Sequence, residues 1–165
     1  MTTAIFPFRF QTLFQAAALP VGIRSETAWV EIADDELDVR FGPWRVRSPL
    51  SNVASADVTG PYSWPKVIGP PHLSLKDRGL TLATNSDEGV CIHFGDPVTG
   101  IDPWGIVRHP AMTVTVEDAP ALAELLDRSS QHIERVHADA EHPTVDDLVE
   151  AIHEDLRSMT AAELR

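Results

Sequence analysis

The feature that most narrows the fold of this chain is a change of hydrophobic period at Asp118. From Thr27 to Glu117 apolar residues recur at every second position, in short runs punctuated by Gly, Pro, Asn and Asp. That is the pattern of half-buried strands. After Asp118 the spacing becomes three and four residues, the pattern of helices packed along one face. The expectation is an α+β chain, mainly β, with its helices at the C-terminal end.

Ala28–Ala33 (AWVEIA), Glu36–Phe41 (ELDVRF) and Trp44–Ser48 (WRVRS) are the first strands. A tight turn at Gly42-Pro43 puts Leu37, Val39, Phe41, Trp44 and Val46 on one face and Asp38, Arg40, Arg45 and Arg47 on the other. The stretch from Gly60 to Pro71 carries four prolines, which remove backbone donors, so it is loop or sheet edge. His72–Lys76, Leu80–Thr84 and Val90–Phe94 read as a three-stranded meander, and Met112–Glu117 as the last of about seven strands. In the first twenty residues Phe6, Phe8 and Phe10 alternate as in a strand, whereas Thr12–Leu19 fits a helix.

Asp118 is placed to cap a helix with Pro120 in its first turn. Leu122, Leu125, Leu126, Ile133 and Val136 line its apolar side, with Ser129-Ser130 as a point of interruption. A further helix starts at Thr144. It carries Val145, Leu148, Val149, Ile152 and Leu156 on one side and Asp146, Asp147, Glu150, Glu154 and Asp155 on the other.

Seven short antiparallel strands followed by a helix is the element order of pleckstrin-homology-like (PH-like) barrels. The segments RFGPWRVRSPLSNV, VTGPY, DRGLTLATN and GIDPWGIVRHPAMTVTVEDAPALAELL resemble an actinobacterial family of such PH-like proteins, over roughly Phe6 to Leu126. The resemblance implies a small antiparallel barrel closed by a C-terminal helix. It implies no catalytic residue and no cofactor. The domain boundaries expected are a barrel with its closing helix over 1–128 and an acidic helical extension over 129–165.

At 165 residues the chain is long enough to bury a core of its own. Cys91 is its only cysteine, so no internal disulfide forms and a structural zinc site lacks thiolates. A reducing, cytoplasmic setting is expected. No apolar run approaches the roughly 20 residues that span a bilayer, and the N-terminal residues do not read as a signal peptide. The net charge of −12 repels nucleic-acid backbones and anionic lipid. From Asp127 to Arg165 there are ten acidic and four basic residues, a net of −6, or half the excess.

Five groups of residues carry candidate chemistry. Arg40, Arg45 and Arg47 on one hairpin face have the guanidinium forks that hold phosphate or carboxylate, with Asp38 set to neutralise part of that face. Cys91 and His93 lie on one side of one strand, either as a thiol beside its base or as a packed thiol beside a hydrogen-bonded imidazole. Tyr62, Trp64, His93, Trp104 and His109 fall in Pro/Gly-rich regions and are candidates for a ligand pocket or a partner surface. Asp96 and Asp102 fall with His93 and His109 in one loop region, as metal ligands or acid/base groups, or else as turn starters, since each aspartate precedes a proline, where it bonds its own backbone. Glu134-x-x-His137 and Glu150-x-x-His153 have the spacing of di-iron bundle ligands, but without the four long helices such a site needs.

Two functions remain open. One is a non-enzymatic interaction module whose tail residues Val145, Leu148, Val149, Ile152 and Leu156 mediate self-association or docking to a protein partner. The other is a carrier of a small ligand, or an enzyme, using the Trp/Pro loops and the region from His93 to His109.

Overall fold

A computed structural model describes residues 3–62, 72–73, 79–102 and 104–141. Nine strands and two helices occur among them: β1 (Ala4–Pro7), α1 (Thr12–Ala18), β2 (Ala28–Ala33), β3 (Glu36–Phe41), β4 (Trp44–Pro49), β5 (Val53–Thr59), β6 (His72–Leu73), β7 (Leu80–Leu82), β8 (Gly89–Thr99), β9 (Arg108–Val114) and α2 (Ala119–Glu141). The chain divides into two compact units, Met1–Ser130 and Gln131–Arg165. The described part of the second is the end of α2.

The first four strands form an antiparallel sheet in chain order. Its hairpins follow from their turn residues. Asp34 and Asp35 both take positive φ, 50° and 62°, as a two-residue type I′ turn requires. Gly42 at φ 59° followed by Pro43 is the type II′ arrangement, in which the first turn position favours glycine. The Gly42-Pro43 turn sets the register expected from sequence, pairing Phe41 with Trp44 and Val39 with Val46. Leu37, Val39, Phe41 and Val46 are buried, and Trp44 is half-buried.

The second sheet has the order β5-β8-β9-β7-β6. β6 and β7 form the expected hairpin. β7, however, does not continue a meander into β8. It pairs parallel with β9, Leu80 opposite Met112, and β9 lies between β7 and β8. The ladders therefore form two sheets rather than the closed antiparallel barrel of about seven strands. An antiparallel bridge between Phe8 and Val116 joins them at one corner. There Phe8 lies against Phe41 with ring centroids 5.1 Å apart.

Prolines mark where β8 and β9 depart from expectation. The β8–β9 register shifts between His93 and Val98, so Pro97 sits in an irregularity where its missing N–H interrupts no ladder. Pro110 lies opposite the same irregularity. β8 thus runs longer than the expected Val90–Phe94, and β9 is shifted: it starts at Arg108 and ends at Val114, short of the expected Glu117.

A buried polar joint fixes the N-terminal segment. The Thr84 hydroxyl donates to the Arg9 carbonyl at 2.7 Å, the Thr84 N–H donates to Thr115 Oγ1 at 2.8 Å, and Asn85 Nδ2 donates to the Arg9 carbonyl at 3.1 Å. All three of these side chains are buried. The first helix of the C-terminal region starts as its cap foretells: Asp118 Oδ1 accepts the Ala121 N–H at 3.1 Å. Ala119, Leu122, Ala123 and Leu126 are buried, and Asp127 accepts the Ala56 N–H at 3.1 Å on the edge strand β5. Ser129 and Ser130 do not interrupt α2. Their hydroxyls donate back to the carbonyls of Leu125 and Asp127, each at 2.9 Å, which keeps both inside the helix. No described helix is long and apolar enough to cross a membrane.

Candidate functional site

The arginines of the second hairpin are engaged by groups of their own sheet. Asp38 stands opposite Arg47 and accepts from Arg45 Nε at 2.8 Å and from Arg47 Nε at 3.3 Å. Arg47 also faces Glu36 at 3.4 Å, and Arg40 Nε donates to the Gly42 carbonyl at 2.9 Å. The hydrogen bond from Arg45, with the nearby guanidinium charges, holds the Asp38 carboxyl below the usual carboxylate range. A recess on this face is lined by Glu31, Asp34, Glu36 and Asp38 against Arg45 and Arg47, so carboxylates outnumber cations there.

On β8 the side chains of Cys91 and His93 do lean together, with Sγ 3.5 Å from Nε2. Cys91 is half-buried and His93 exposed. Cys91 lies in register with Asp57 on one side and Thr113 on the other. Among the described residues, no three His, Cys, Asp or Glu side chains gather as metal ligands.

The residues grouped as a pocket differ in burial. The Tyr62 hydroxyl lies 2.5 Å from Thr59 Oγ1, and its ring packs on Phe14 and Ala83. Burial pushes the Tyr62 hydroxyl above the ordinary tyrosine range, against the opposing pull of the Thr59 bond. His109 is buried opposite Val98 on β9, His93 is on the outer face of β8, and Trp104 is 81% exposed. Trp64 lies outside the described residues, as do Val145, Leu148, Val149, Ile152, Leu156 and the Glu150-x-x-His153 motif. Asp96 is in β8 rather than a turn. Its backbone is clamped by Asn52, whose Oδ1 accepts the Asp96 N–H at 2.7 Å and whose Nδ2 donates to the Asp96 carbonyl at 2.9 Å.

What the structure does assemble is the loop joining β8 to β9, closed by the Thr99–Arg108 pair. Asp102 folds it from within. Its Oδ2 accepts the Ile106 N–H at 2.5 Å, its Oδ1 the Val107 N–H at 3.1 Å, and its carbonyl the Gly105 N–H at 3.2 Å. Gly105 turns the chain at φ 65°, a conformation that costs any other residue strain. With the N–H groups of Gly105, Ile106 and Val107 held by Asp102, Trp104 and Ile106 face solvent at 81% and 79% exposure, with Val107 at 36% beside them. Exposed tryptophan next to exposed isoleucine is the composition of interface anchors. Sequence reasoning had Trp104 and the turn-forming role of Asp102. It missed Ile106 and Val107, which lie in the turn-rich stretch from Gly95 to Pro110, where single aliphatic residues carry no periodic signal.

No protein-family model, curated protein or solved structure matches this chain. The reading of its function rests on its own geometry.

Proposed function

We propose that this chain is a non-enzymatic interaction module that docks a protein partner through Trp104 and Ile106 of the β8–β9 loop, on a PH-like scaffold. The observation that carries the reading is the pairing of two facts about that loop. Trp104 and Ile106 are the most exposed large hydrophobics of the described chain, and the Asp102 carboxylate holds the N–H groups of Ile106 and Val107. An apolar surface kept rigid binds without first losing loop entropy. Burying one tryptophan at the centre of an interface commonly contributes about 2 kcal/mol or more. The net charge of −12 argues against nucleic acid or an anionic membrane as the occupant. The amphipathic pattern of residues 145–156 supplies a second surface to the same module, for self-association or for the same partner.

A photo-crosslinking residue at position 106, expressed in cells, tests the reading. We expect a discrete adduct of one partner mass that is lost when Trp104→Ala is added and is absent when the crosslinker sits at Glu117. The same adducts from both positions, or none from position 106, would overturn it.

A further inference from the structure

A second surface, independent of the loop, lies where the β2–β3 turn meets α2. A cleft of about 410 Å³ opens there, floored by Ala4, Ile32, Leu50 and Leu125 and edged by Asp34 and Asp35. Ile32 and Leu50 are well packed beneath it. Leu125 is half-buried, whereas Leu122 and Leu126 on the same helix are fully covered. Leu125 is thus the part of the apolar floor that the fold leaves partly open, over buried Ile32 and Leu50, and the edge carries two carboxylates. The same hairpin continues with Glu31, Glu36 and Asp38 against Arg45 and Arg47, so the surroundings of the cleft remain negative. On α2 the neighbouring Arg128 is spent on Glu124.

We infer that this cleft takes a basic, apolar peptide segment of another protein, seating a leucine-like side chain on Ile32, Leu50 and Leu125 and a lysine or arginine against Asp34 and Asp35. Charge complementarity selects that occupant. A second copy of this chain, itself at −12, meets a repulsive rim, and an acidic or neutral peptide gains nothing from the two aspartates. Apolar anchor plus ionic rim is the arrangement by which grooves read amphipathic segments.

A synthetic amphipathic peptide of about 14 residues, leucine on one face and lysine on the other, tests this by fluorescence anisotropy, with a leucine/glutamate peptide as the charge control. Asp34→Asn with Asp35→Asn keeps two residues that tolerate positive φ, so the turn is retained. We expect that double variant and Leu125→Ala each to weaken binding of the lysine peptide about fivefold. Neutralising distant exposed acids, Asp57→Asn with Glu117→Gln, should change it less than about twofold. No binding, equal binding of the glutamate peptide, or equal weakening by the distant pair would overturn the inference. Trp104→Ala leaves this binding unchanged, which separates it from the loop.

Discussion

Asp102 and Trp104 divide the work of the loop between them, one holding the backbone and one facing solvent. Replacing Trp104 or Ile106 with alanine removes exposed surface, so stability should change by less than about 0.5 kcal/mol, as read by denaturant melts. The buried joint behaves in the opposite way. Thr115→Val leaves the Thr84 N–H without its acceptor in a dry site, and should cost about 1–3 kcal/mol in the same melts. Two residues set pH dependence at opposite ends. Asp38 has its folded-state pKa lowered, mainly by Arg45, so its contribution is present above the unfolded value and is lost as pH falls through the folded one. The melting-temperature gap between the native chain and Asp38→Asn should therefore be widest near about pH 7 and close towards about pH 3. Tyr62 is raised by burial, so the folded state keeps its proton longer than the unfolded chain. Its contribution fades as pH rises past about 10, and Tyr62→Phe should flatten that loss.

Among the elements, the β8–β9 loop makes its left-handed turn at Gly105. A Cβ on Gly105 meets only ordinary contact with Thr99 at 3.5 Å, so space is available and the penalty of Gly105→Ala comes from φ 65° alone. It should amount to about 1–2 kcal/mol, measured as a shift in the denaturation midpoint, and faster amide exchange at Ile106 and Val107 should accompany it. Elements with a clean period were legible in sequence: β2 and β3 run over the expected residues, and the Gly42-Pro43 turn sets the register of β4. β5 was not, because Val53–Thr59 (VASADVT) is built of small residues and its register shifts between Val53 and Ser55, which breaks the alternation. The extensions of β8 and β9 were hidden by Pro97 and Pro110, which signal turns unless an irregularity accommodates them. The parallel pairing of β7 with β9 has no local signature at all, since it is decided by which strand covers Leu80 and Leu82 in the core.

For the whole molecule, the switch of period at Asp118 correctly foretold a mainly β chain followed by a helix. It did not foretell two sheets, because closure into a barrel depends on how edge strands meet rather than on any residue pattern. The candidate site was half legible. Trp104 and Asp102 stood out as residues, but grouping Trp104 with Tyr62, His93 and His109 followed chain motifs, which do not reveal that His109 is buried while Trp104 is 81% exposed. The proposal that a protein partner covers Trp104 and Ile106 rests on their exposure and on the net charge of −12. The most direct test is calorimetric titration of the partner crosslinked from position 106, purified, against the native chain and Trp104→Ala. At least tenfold weaker binding by the variant, about 1.4 kcal/mol, with an unchanged melting temperature, is the predicted result. Equal affinity would contradict the claim that this loop is the docking surface.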